Sequence, residues 1–137
     1  MHPIVISYCL DGYNEIKTEF DSFANLKKQL ECIKEETTGL FSAPFSVDIV
    51  LDDIGFMSIG LADSTILCYK SWDFEEQLTA VGDLFEDGNI TFYFGDYSLM
   101  SKKYLIPYSV ALGVLEAWIA TGELSDKVEW THELFDF

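Results

Sequence analysis

Arginine is absent from this chain: all 8 basic residues among its 137 are lysines, set against 24 aspartates and glutamates. The formal net charge is -16, so the surface repels nucleic acid and anionic membrane and attracts cationic partners. Long apolar runs are missing as well. None approaches the roughly 18 to 20 residues of a membrane span, and Met1-His2-Pro3 lacks the basic-then-apolar order of a signal peptide, so the expectation is a cytoplasmic protein. Cysteine is sparse, with 3 residues. Cys9, Cys32 and Cys68 are far apart, odd in number and set among apolar neighbours, which fits neither a disulfide framework nor a zinc spacing and reads as buried free thiols. The only histidines, His2 and His132, belong to no nucleophile and base motif; His132, beside Glu129 and Glu133, reads as a tail residue or as a general base. A glycine-rich phosphate loop is missing too. Gly55, Gly60, Gly82, Gly88 and Gly95 are scattered at turns and strand ends, which disfavours a nucleotide site. No catalytic residue and no cofactor is assigned.

What is present is apolar: 49% of the residues are hydrophobic and 15% aromatic. Low hydrophobicity with high charge marks disorder, and this chain does not have it. The length fits one domain over residues 1–137 with a single core. Pro3 to Cys9 is an apolar, β-rich run, followed by Asp11-Gly12 and by Tyr13 to Phe20, in which Ile16, Thr18 and Phe20 alternate with charge; together they predict a hairpin. Asp21 or Ser22 caps a helix with Phe23, Leu26, Leu30 and Ile33 on one stripe and Lys27, Lys28, Glu31 and Lys34 outside it, ending near Thr37-Thr38-Gly39. Phe45 to Leu51, Gly55 to Leu61 and Thr65 to Tyr69 read as three sequential strands of an antiparallel meander. Asn89 to Gly95 is a further strand, and Lys102 to Ile106 either extends the sheet or leads into a second helix. Pro107 opens that helix, which is apolar, with Val110, Leu112, Val114, Leu115, Trp118 and Ile119, and stops at Thr121-Gly122. Lys127 to Thr131 is the last strand. The pattern is α+β: a mainly antiparallel sheet with two principal helices on one face.

The most acidic stretch runs from Trp72 to Gly88 and contains Asp73, Glu75, Glu76, Asp83, Glu86 and Asp87 with no basic residue. Carboxylates desolvate favourably at an interface when Lys or Arg meets them, and complementary fields speed encounter. Aromatics among and after the acids, Trp72, Phe74, Phe85, Tyr93 and Tyr97, supply either core or the anchors that dominate interfaces. The candidate partner-binding set is Trp72, Asp73, Glu75, Glu76, Asp83, Glu86, Asp87, Asp96 and Tyr97. A competing reading is a carboxylate-rich metal-binding domain or metal-dependent hydrolase using Asp48, Asp52 and Asp53 or Asp83, Glu86 and Asp87. Neither cluster matches the ligand spacing of a calcium loop, and no metal site is assigned.

The order of motifs in the second half is distinctive. Phe92-Tyr93-Phe94-Gly95 leads through a loop to Ile106-Pro107, the helix Ala111 to Trp118, Thr121-Gly122 and Val128-Glu129-Trp130. This order resembles the first-named immunity protein family of bacterial polymorphic toxin systems, and the leading strand, Asp-Gly turn, second strand and amphipathic helix resemble it too. The resemblance implies a cytoplasmic antidote that occludes the catalytic domain of a toxin, such as a nuclease or a nucleic-acid deaminase, whose basic character agrees with the charge argument. It also implies that Pro107, Gly122 and Trp130 are scaffold: a helix start, a helix stop and a core aromatic.

Overall fold

Strand β1 (Ile4–Cys9) and strand β2 (Glu15–Phe20) run antiparallel with Ile4 opposite Phe20 and Cys9 opposite Glu15, forming the hairpin that the Asp-Gly pair indicates. The computed structural model describes residues 4–10, 14–94 and 96–132, so that turn itself lies outside the described residues. Ser22 caps helix α1 (Phe23–Thr37), its hydroxyl accepting the Asn25 N–H at 3.2 Å and satisfying one of the orphan donors of the first turn. Leu26, Leu30, Ile33 and Thr37 form the buried stripe of α1. Cys32 lies beside that stripe and is exposed, while Cys9 and Cys68 are half-buried, so the expectation of three buried thiols fails at Cys32.

Strands β3 (Ser46–Leu51), β4 (Gly55–Gly60) and β6 (Leu67–Ser71) form the meander, interrupted only by the two-residue β5 (Ser64–Thr65). A fourth strand, β7 (Gln77–Val81), lies inside the acidic stretch and pairs with β6 on one side and with the terminal β11 (Glu129–Thr131) on the other. The complete sheet has seven strands in the order β11-β7-β6-β4-β3-β1-β2. Strand β8 (Asn89–Tyr93) is not part of it. It pairs with β9 (Tyr97–Ser101), in the segment read as a loop, to make a separate hairpin. Lys102–Tyr104 is a 3-10 turn, followed by a two-residue bridge strand β10 (Ile106–Pro107) against β5, rather than an extension of the main sheet. Pro107 stands at the N-cap of helix α2 (Tyr108–Thr121), and Gly122 closes α2 with φ 74°, donating its N–H to Trp118 O at 2.7 Å. That left-handed conformation is the one a glycine after a helix supplies without strain.

Alternation divides the sheet into two faces. Ile4, Ile6, Val47, Ile49, Leu51, Met57, Ile59, Leu67, Tyr69, Leu78 and Ala80 point to one side and join Leu26, Leu30 and Ile33 of α1 and Ala111, Val114, Leu115 and Trp118 of α2 in the main core. Both helices therefore cover the same face, as the α+β reading requires. Trp130 is half-buried against this core, and its Nε1 donates to Ser125 O at 3.0 Å. A smaller core of Ile66, Phe92 and Tyr104 anchors the β8–β9 hairpin. It sits against Gly60, where a Cβ would stand 2.6 Å from the Phe92 ring, so only glycine admits that ring.

Candidate functional site

The nine predicted partner-binding residues occupy three separate places. Trp72, Asp73, Glu75 and Glu76 form the turn between β6 and β7, Asp83, Glu86 and Asp87 lie in the loop after β7, and Asp96, in the β8–β9 turn, precedes Tyr97, the first residue of β9. Strand β7 separates the first two groups by four residue rises, roughly 14 Å. The acidic stretch is thus contiguous in sequence but does not form one face. In the second group Asp83 accepts the Phe85 N–H at 2.9 Å, and Phe85 is 94% exposed. In the third, Asp96 accepts the Ser98 hydroxyl at 3.1 Å, and Tyr97 meets Tyr93 edge-on at 5.0 Å.

The β6–β7 turn gains neighbours that the sequence separates from it. The β3–β4 turn lies at the same end of the sheet, and Trp72 N–H donates to Ile54 O at 3.1 Å, which ties the two turns together. Asp52 and Asp53 therefore join Asp73, Glu75 and Glu76, all exposed, at one end of the sheet. Between these carboxylates lie three rings. Phe56 stacks on Trp72 at 5.2 Å and on Phe74 at 5.4 Å, with interplanar angles of 4° and 8°. Trp72 is 39% exposed and Phe74 57%. The turn is built by its own side chains: Asp73 accepts the Ser71 hydroxyl at 2.7 Å and the Glu75 N–H at 3.0 Å, while Ser71 Oγ accepts the Glu76 N–H at 2.9 Å. Those bonds, the Ser71 one foremost, hold the Asp73 carboxyl below its ordinary value. Asp73 is thus a shaping residue of the turn. Phe56 is the site residue that sequence reasoning missed, although the in-out alternation of Gly55-Phe56-Met57 places it on the face away from the core; Asp52 and Asp53 enter that reasoning only as candidate metal ligands, apart from the acidic stretch.

The second feature of that helix-free face is a cleft of about 590 Å³ between the sheet and the β8–β9 hairpin. Its floor is a cross-strand row: Ser7 pairs with Asp48, Asp48 with Ser58, and Ser58 with Cys68. Ser7 donates to Glu15 Oε1, and Ser58 donates to Asp48 Oδ1. Lys70, Phe45, Phe94 and Met100 also line the cleft. Burial pushes the Cys68 thiol up to about 11, with Thr79 and Lys70 opposing and Asp48 adding to the rise. The thiolate is the nucleophile, so at pH 8 Cys68 stays protonated and slow to react. The expected outcome with iodoacetamide at pH 8 is fast labelling of exposed Cys32 and labelling of Cys68 only after denaturation, as read by peptide mass spectrometry.

The proposed metal clusters do not assemble. Asp48 faces the cleft while Asp52 and Asp53 are in the turn beyond β3, and among the described residues no three His, Cys, Asp or Glu side chains converge to hold a metal ion. His132 is exposed, with Nδ1 3.2 Å from Gln77 O. Among the described residues no helix is long and apolar enough to cross a membrane. No protein-family model matches the chain, and no curated protein matches it.

Proposed function

We propose that this protein is a cytoplasmic antidote without enzymatic activity of its own, binding a basic toxin domain and occluding its active site, as its likeness to the first-named immunity family implies. The observation that carries the reading is the stack of Trp72, Phe56 and Phe74 at an end of the sheet ringed by Asp52, Asp53, Asp73, Glu75 and Glu76. None of those five carboxylates forms an ion pair among the described residues. Exposed aromatic area beside unpaired carboxylates suits a partner that presents Lys or Arg: the rings supply desolvated anchors and cation-π faces, and the acids supply steering. Lys and Arg that hold substrate phosphates in a nuclease or deaminase have this chemistry.

The test is co-expression with candidate basic toxin domains, beginning with the product of the adjacent reading frame, followed by calorimetry and by assay of the toxin on nucleic acid. The expected result is a stoichiometric complex that silences the toxin and weakens as salt rises. Purification of the two proteins as separate species, with the toxin fully active in the presence of this chain, would overturn the reading.

A further inference from the structure

The cleft on the helix-free face has the polarity of a small-molecule site, and this stands apart from any partner protein. Its volume, about 590 Å³, lies within the range of ligand pockets. Its charges are segregated by sign. Glu15 on β2 and Asp48 on β3 lie on one flank, Lys70 on β6 lies on the other, and β4 runs between them with Ser58 facing the cleft. Asp48 is level with Cys68 of β6, so Lys70 stands two strand spacings across and two residues along from it, roughly 12 Å between the backbones, a gap that both side chains shorten. The carboxylate of Glu15 already has Lys17 at 3.4 Å, which leaves Asp48 as the freer acceptor. One oxygen of Asp48 is fixed by the Ser58 hydroxyl, which orients the other as an acceptor.

Two groups in the cleft are without partners. The hydroxyl of Ser46, in a residue only 8% exposed, has no hydrogen-bond partner, which is costly for a buried polar atom. Lys70 forms no ion pair among the described residues, in contrast to Lys17 and Lys34, which do. Cys68, on β6 with Lys70 and level with Asp48 across Ser58, feels Asp48 and Lys70 in opposite senses, so both charges bear on the same part of the cleft. Phe45, Phe94 and Met100 offer an apolar wall along the gap, suited to a methylene stem.

We propose that this cleft binds a zwitterion of basic amino-acid type, free or as the C-terminal residue of a peptide, with its side-chain cation at Asp48, its carboxylate at Lys70 and a donor or acceptor meeting Ser46. An extended arginine or lysine side chain spans such a gap between its terminal cation and its α-carboxylate.

The probes are L-arginine, agmatine, which has the same cation and stem but no carboxylate, and acetyl-Gly-Arg with a free carboxylate. Each is titrated at low salt into the isotopically labelled full chain and followed by amide NMR. Saturable L-arginine binding is expected, with shifts concentrated at Ser46, Asp48, Ser58 and Cys68. Asp48→Asn should weaken L-arginine and agmatine alike by about ten-fold, the loss expected for one charge-assisted hydrogen bond. Lys70→Gln should weaken L-arginine by a similar factor and leave agmatine unchanged or tighter, a selective loss that loose cation binding to an acidic protein does not produce. Both side chains are exposed, so melting temperatures should stay near that of the parent chain. Acetyl-Gly-Arg binding at least as tightly as L-arginine would assign the cleft to a peptide terminus, and the reverse order would assign it to the free amino acid. Shifts spread over the whole acidic surface and unchanged by Asp48→Asn, or L-arginine and agmatine binding equally to the parent chain and to Lys70→Gln, would overturn the proposal.

Discussion

Truncating Trp118 to alanine is expected to lower the free energy of unfolding by about 3–5 kcal/mol, the range for removing a large buried aromatic. Domains of this size are stable by only about 5–15 kcal/mol, so the variant should lie close to the edge of folding. Trp118 is completely buried and meets Tyr69 edge-on at 6.0 Å, so its ring bridges α2 to the centre of the sheet. Around it lie Ala111, Val114 and Leu115 of the same helix, and the turn beyond is fixed by the bond from Gly122 N–H to Trp118 O. Relaxation into the space left behind is restricted because the strands beneath are held in register on both sides. One feature of the ring opposes stability: its Nε1 is buried without a hydrogen-bond partner. Trp118→Phe keeps most of the apolar volume and removes that unsatisfied donor, so it should recover more than half of the loss. Urea unfolding followed by circular dichroism measures both, with the midpoint falling and the slope unchanged. A shift below about 1 kcal/mol for Trp118→Ala would mean that α2 is not anchored through this residue.

The elements that were legible in the sequence are those whose signals are local. Ser22 before a 3.6-residue stripe and Pro107 and Gly122 bracketing an apolar helix each specify their own geometry, and each helix forms there, while the two β-rich runs flanking Asp11-Gly12 pair as β1 and β2. Strand β7 was hidden because Leu78, Thr79 and Ala80 are all buried. Small and hydroxyl residues are accepted on both faces, so alternation disappears, and the flanking carboxylates make the segment read as one acidic loop. Strand β9 was hidden for the opposite reason: its partner is β8 alone, and it is β8 that anchors the hairpin, through Phe92 in the smaller core and Tyr93 against Phe45 of the main core. The sheet order was beyond reach because β1 inserts between β2 and β3, a non-local pairing for which no short-range residue pattern codes. The same limit governed the candidate site. Proximity in sequence grouped Glu75 with Glu86, whereas strand direction groups Glu75 with Asp52, which is 23 positions away in the chain. Turns at the same end of an antiparallel sheet become neighbours, and turns at the two ends of one strand do not.

That geometry makes the two halves of the acidic stretch separable in a binding experiment. On the proposed function, reversing Asp52, Glu75 and Glu76 together to lysine should slow association with a basic toxin domain by about 10–100-fold at low salt, the scale of electrostatic steering. Reversing Asp83, Glu86 and Asp87 changes the net charge by the same amount, but at the opposite end of β7, and should slow association several-fold less. Asp73 is left intact in both variants because its carboxylate holds the turn through Ser71 and the Glu75 N–H. Asp53 is left intact because it adopts a left-handed φ of 64°, which aspartate tolerates better than lysine does. The aromatic stack should act on a different rate. Phe56→Ala removes the ring that both Trp72 and Phe74 stack on, so dissociation should quicken by about 30-fold or more, the scale of an interface hot spot, while salt dependence stays as in the parent chain. Stopped-flow mixing at several ionic strengths separates the two effects. Equal slowing by both triple reversals would show that the net charge of the molecule, rather than the paired turns, guides the partner, and the end of the sheet would then lose its claim to be the contact surface.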